Sequence, residues 1–126
     1  MLKIGSASVV VGNSQRRGRG LFACSNIAAE TSLGSTPSWE LSPDDIKALS
    51  LSSIDGYWFD HIERHGWGLL PLGIAALVNH SKNPNAVLEW YWSEHGYIGD
   101  LKSICEIARG AEVFIDYQIT PPDDWL

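Results

Sequence analysis

Cysteine is scarce in this chain: 126 residues include only Cys24 and Cys105, which belong to no CxxC pattern. Without distant histidines they cannot form a four-ligand zinc site, so no metal centre is expected. Both lie in apolar segments, where buried thiols are expected rather than a disulfide or a nucleophile. Long apolar runs are missing too, and no stretch approaches the roughly 18 residues that a membrane span requires. The opening MLKIGSASVVVG lacks a long apolar run and a small-residue cleavage site, so the expectation is an intracellular, by default cytoplasmic, protein. Nuclear or host-cell action stays open. Positive charge is the third shortage, with 9 Lys+Arg against 15 Asp+Glu and a net charge of −6. That balance leaves no basic face for a phosphate backbone, so neither nucleic acid nor membrane is the expected partner. It favours a basic protein or peptide through complementary fields. The one dense positive spot, Arg16-Arg17-Gly18-Arg19, reads either as a solvated loop tip or as a functional element.

What is present points to one globular domain spanning residues 1–126. Hydrophobic residues make up 44% of the chain and charged residues 19%, the balance of a folded domain of this length. Six Trp, four Tyr and three Phe are a heavy aromatic load, enough to line a groove as well as a core. Neither repeat nor linker is visible. The pattern is one of many short strands, hence a mainly β (α+β) fold. Ser8 to Val11 reads as a strand broken by Gly12-Asn13-Ser14. Ser42-Pro43-Asp44-Asp45 signals the one convincing helix start, with Ile46 and Leu49 giving it an apolar face. Tyr57-Trp58-Phe59 is expected to pair with Trp67 to Leu70. Gly73 opens a short helical turn, and residues 87–92 and 97–104 form a hairpin across Ser93-Glu94-His95-Gly96.

Three clusters carry candidate chemistry. Gly18-Arg19-Gly20-Leu21-Phe22-Ala23 formally fits the GxGxxA dinucleotide fingerprint, but that motif works only where a strand turns into a helix. No helical period follows Leu21, so a plain glycine turn or a close backbone approach to another ligand is the better reading. His61-Ile62-Glu63-Arg64-His65 has its glutamate one position out of place for a zinc protease, and surface histidines are expected there. Leu77 to Ala86 packs three asparagines, a serine and a proline directly after an apolar turn. Its amides suit either a hydrogen-bonded core loop or a ligand that needs both donors and acceptors.

Asn79-His80-Ser81-x-x-Pro84-Asn85 resembles the signature of the SET-domain protein lysine methyltransferases. Three further matches follow the family's order: Gly18 to Ala23, Tyr57-Trp58-Phe59-Asp60, and Gly110-Ala111-Glu112-Val113-Phe114-Ile115-Asp116-Tyr117. Together they span about residues 9–117, leaving 118–126 as a tail, and the chain is most similar to the compact viral and bacterial members. The resemblance implies a β-clip fold of small sheets with few short helices and a C-terminal pseudoknot. It implies S-adenosylmethionine as cofactor, methyl transfer to a lysine of a histone or other basic protein, and Tyr117 as the catalytic residue. Cofactor contacts are implied at Gly18, Arg19, Gly20, Tyr57, Asn79 and His80, the last through its backbone. Trp58, Phe59, Tyr97 and Trp125 are candidates for the channel wall, and Trp125 also for covering the adenine. The chain departs from many relatives in lacking a post-SET cysteine cluster, in having Leu72 where an aromatic is common, and in placing the smaller Ile115 two residues before the tyrosine. That last change implies room for di- or trimethylation. A catalytically silent peptide- or cofactor-binding module is the alternative, and a homodimer is compatible with either.

Overall fold

The computed structural model describes residues 8–15 and 18–118. Among these described residues nine strands, numbered β1 to β9 in chain order, form two sheets, in the order β1-β2-β9-β6 and β4-β5-β3-β8-β7. Strand β1 (Val9–Ser14) pairs antiparallel with β2 (Gly18–Ala23), Val9 opposite Ala23 through Ser14 opposite Gly18. The expected break at Gly12 does not occur, because glycine is needed inside this strand. The Phe22 ring lies across it, and a Cβ there would meet that ring at 2.8 Å. The GxGxxA segment is itself a strand with no helix after it, which removes the geometry a dinucleotide site needs.

Strand β3 (Ser32–Leu41) lies at the centre of the larger sheet and was not expected from its sequence, SLGSTPSWEL. Glycine and proline hide it. Its first half, to Pro37, pairs with β8 (Gly96–Ser103), and its second half, Ser38 to Leu41, pairs with β5 (Gly68–Pro71). Pro37 sits where the partner changes, the position at which a missing N–H costs a central strand least. Helix α1 (Pro43–Leu49) begins as read, with a capping box between Ser42 and Asp45. It buries no residue, however, so the expected Ile46/Leu49 face only half-docks. The two-residue strand β4 (Phe59–Asp60) pairs with β5 as expected, Phe59 opposite Leu69.

A 3-10 turn at Ile74–Ala76 leads into β6 (Asn79–His80). Strand β7 (Ala86–Ser93) and β8 form the expected hairpin, Ala86 opposite Ser103 through Ser93 opposite Gly96. Strand β9 (Glu112–Ile115) then inserts between β2 and β6, antiparallel to the first and parallel to the second. The core joins both sheets through Val9, Leu21, Leu33, Leu101, Val113 and Ile115. Each such side chain contributes about 1.5–3 kcal/mol by leaving water. Ile27 and Ile107 exchange backbone hydrogen bonds of 2.8 and 2.9 Å, joining two Ile-Ala turns that end in positive φ, at Glu30 (φ 60) and Gly110 (φ 86). Neither cysteine is buried as expected: Cys24 is half-exposed and Cys105 exposed, and they form no disulfide. Among the described residues, no helix is long and apolar enough to cross a membrane.

Candidate functional site

The last strand is held by an asparagine acting as an extra rung. Asn85 donates from Nδ2 to the Glu112 carbonyl at 2.9 Å and accepts the Phe114 N–H at 2.8 Å. Its own N–H reaches the Phe114 carbonyl at 3.2 Å, and its carbonyl accepts from Ile104 at 2.9 Å. This explains the Pro84-Asn85 pair: a side-chain amide supplies the donor and acceptor that a strand backbone would. With β9 fixed, Asn79 lies opposite Phe114 and His80 opposite Ile115.

Asn79 spends both donors of its side chain. One goes to the Arg19 carbonyl at 2.9 Å and one to Glu112 Oε2 at 2.8 Å, while Glu112 Oε1 accepts from Ser14 Oγ at 2.8 Å. The amide orientation is therefore set, and its carbonyl oxygen is the group left to meet a ligand's N–H. Gly20 makes this approach possible, since a Cβ there would come within 2.8 Å of Asn79 Nδ2 and overlap the Glu112 carboxylate. Gly18 has φ 79 with open space around it, so its need is conformational.

Beside this network opens a cleft of about 1000 Å³, and Arg19, Tyr57, Asn79 and Tyr117 line it. Four of the expected site residues thus share one cavity. Gly18, Gly20 and His80 do not line it, but Gly20 and His80 lie against Asn79 and Tyr117, which do. His80 is 1% exposed and its Nδ1 accepts the Tyr117 N–H at 2.9 Å, so its side chain positions the tyrosine. Trp125, like Arg16 and Arg17, lies outside the described residues.

The Tyr117 hydroxyl donates to the Val78 carbonyl, and its ring meets Phe59 edge-on at 5.7 Å and 90°. Phe59 continues the wall to Trp90, with ring centroids 6.1 Å apart. With its proton committed, the hydroxyl oxygen presents lone pairs, which suits it to accept an N–H rather than to donate. Trp58 and Phe59 line the cleft as expected; Tyr97 does not. Tyr97 packs instead against His61 at 4.8 Å and Trp92 at 5.1 Å. Trp90 takes the wall position. The signal for it was available, because Ala86, Leu88 and Trp90 alternate along one face of the hairpin, a period-2 reading that any half-buried strand supports.

The histidine pair also differs from expectation. His61 is buried: its Nε2–H donates to Glu40 Oε1 at 2.8 Å, and its Nδ1 accepts the Glu63 and Arg64 N–H groups at 3.0 Å each. His65 remains on the surface. Around His61, the Tyr97 phenol is pushed above its usual value, first by burial, then by its hydrogen bond with Glu63 and the charges of Glu63 and Glu40.

A sequence profile described as SET domain matches residues 18–118, most of the chain and all four motif segments. The chain belongs to the SET domain family. Among solved structures, this SET domain is similar to a Plasmodium falciparum protein described as a candidate histone methyltransferase. The TM-score is 0.73 at 23% identity, covering 95% of this chain and 97% of that one. It is similar as well to a chain of a Polycomb repressive complex 2 bound to S-adenosylmethionine (TM-score 0.74, 22% identity, 93% of this chain and 15% of that one). A humanized mutant of the Chaetomium thermophilum complex bound to an inhibitor gives 0.70 at 23% identity, over 87% and 15% of the two chains. The SET domain thus spans 97% of the first of these chains but only about 15% of the Polycomb chains. No curated protein matches the sequence significantly. The small curled strand sheets with few short helices are the fold these structures share.

Proposed function

We infer that this SET domain transfers a methyl group from S-adenosylmethionine to the ε-amine of a lysine in a basic protein. The observation that carries this reading is the cleft itself. It brings together an amide whose carbonyl oxygen is an acceptor and a tyrosine oxygen beside an aromatic wall. The residues fit the cofactor. Gly20 leaves the space that brings Arg19 and Asn79 together, and the Asn79 carbonyl oxygen suits a ligand ammonium. Tyr57 lines the same cleft. When bound, S-adenosylmethionine supplies a methyl already activated by a sulfonium.

What remains for the protein is to present a neutral amine in line. A lysine of pKa ~10.4 is only ~0.04% neutral at pH 7, equivalent to ~4.6 kcal/mol. Phe59, Trp90 and Tyr117 lower that penalty by desolvating the ammonium. The Tyr117 oxygen then accepts one amine N–H and so orients the nitrogen lone pair. Ile115, 2% exposed and lining the cleft, leaves room for the methyl groups of a di- or trimethylated product. The excess of carboxylates draws a basic substrate.

A silent peptide- or cofactor-binding module is the second reading, favoured by Leu72, which is 54% exposed and supplies no aromatic wall. Calorimetric titration with S-adenosylmethionine and S-adenosylhomocysteine, wild type beside Asn79→Ala, decides the cofactor. Binding that is lost in the variant supports the pocket, and absence of binding in the wild type sinks it. Mass spectrometry of basic peptides incubated with protein and cofactor then separates the two readings, since only an enzyme adds mass. The same spectra read the number of methyl groups added.

A further inference from the structure

The cleft-facing side of the β7–β8 hairpin continues past Trp90 for one more aromatic rung, Trp92 opposite Tyr97. Trp92 stands nearly edge-on to Tyr97, yet is 64% exposed. Beside this rung opens a second cavity of about 330 Å³, lined by Ser38, Trp39, Glu40, Gly96 and Tyr97. It forms where β3 runs past its last pairing with β8, Pro37 opposite Ile98, and Ser38 Oγ donates to the Tyr97 carbonyl at 2.6 Å. Trp39 is also 64% exposed. One exposed apolar ring needs no explanation. Trp39 lines the cavity beside the Glu40 carboxylate, and Trp92 packs on the Tyr97 that also lines it; together they have the composition of a cation site, since ring faces attract positive charge.

The charged surroundings agree. Glu40 lines the cavity, engages His61 through one oxygen, and keeps a side chain 32% exposed. After burial, Glu63 and Glu40 are the causes that raise the Tyr97 phenol, so both project negative potential onto the notch. Arg64 opposes them, but its guanidinium sits over Trp67 at 4.6 Å. His61 accepts two backbone N–H groups at Nδ1, so its contact with Glu40 is made through Nε2 alone.

We propose that the notch formed by Trp39, Glu40 and Tyr97, with Trp92 packed on Tyr97, takes a lysine or arginine side chain of a basic protein at a point separate from the cleft. The partner's chemistry follows from charge complementarity with an acidic chain whose second cavity joins aromatic rings to carboxylate. The proposal does not depend on methyl transfer and stands equally for a silent module.

The test is calorimetric titration of the full chain with short Gly/Ser peptides that differ at one residue: lysine, trimethyl-lysine, arginine or uncharged norleucine. A cationic peptide is expected to bind about fivefold tighter than the norleucine peptide, the size of one exposed cation–π contact. Trp39→Ala and Glu40→Gln should each remove that preference. Ranking the three cations identifies which side chain the notch selects. Equal binding of norleucine would overturn the proposal, and so would a preference that survives Trp39→Ala. Because Trp39 is mostly exposed, that variant decides the matter even if Glu40→Gln disturbs the His61 contact. Cofactor titration of the same variants is a separate readout, so failure of the notch and failure of the methyltransferase reading are distinguishable.

Discussion

His80 and His61 are both buried, and both use Nδ1 to accept backbone N–H groups, but they organise different regions. His80 holds Tyr117, which lines the cleft beside a network of asparagines and Glu112. His61 holds the loop after β4 and ties it to Glu40 on β3. The first region is built from amides, whose donors and acceptors are matched internally so that one oxygen at Asn79 is left for a ligand. The second is built from carboxylates and rings, with charge only partly compensated. The lesson is that buried polar groups here are spent on backbone and on one another, and what each region presents outward is whatever that spending leaves.

The largest effect should come from the cleft. Tyr117→Phe is expected to lower methyl transfer on the order of 100-fold, as removal of one oriented hydrogen-bonding group does, while S-adenosylmethionine affinity stays within a few fold. Single-turnover assays beside calorimetry check this, and unchanged turnover would remove Tyr117 from the chemistry. Next comes the other histidine. His61→Ala should cost about 2–4 kcal/mol, from the cavity and from the Glu63 and Arg64 N–H groups left without acceptors. Urea unfolding measures it, and the folded fraction should keep its cofactor affinity. Equal loss of cofactor binding would merge the two regions into one.

A subtler change sharpens the contrast between the carboxylates. Glu112→Gln should weaken S-adenosylmethionine binding about tenfold, or about 1.4 kcal/mol, by freeing the Asn79 amide to turn; Glu40→Gln should leave that affinity alone. If both variants bind alike, the Ser14–Glu112–Asn79 chain does not set the amide. The smallest effect is a pH dependence at Tyr97. Its folded value is raised, so its contribution to stability is complete below the ordinary tyrosine value of 10.0 and is lost as pH rises through the folded value. Denaturation midpoints should therefore fall above that pH in the wild type and fall less in Tyr97→Phe.

Much of the fold was legible because local rules agree with it. The Ser42 cap, the β7–β8 hairpin and the β4–β5 pairing follow from turn residues and alternation alone. Strand β3 was not legible, because Gly34 and Pro37 are strand breakers unless the strand changes partner between them and its end. Gly12 misled for a related reason: only the Phe22 ring above it shows why a strand should carry a glycine there.

The sequence by itself determined the family, through four ordered motifs, and with it the identity of Asn79 and Tyr117 as residues to watch. It also determined the acidic charge and the caps and turns, which depend on neighbours along the chain. Tertiary structure alone decided which aromatics face the cleft, putting Trp90 there and sending Tyr97 to a second notch. It alone buried His61 and joined Glu112 to both Ser14 and Asn79. Those outcomes depend on which strands lie side by side, and such pairings, 98 residues apart for Ser14 and Glu112, leave no periodic trace in either segment.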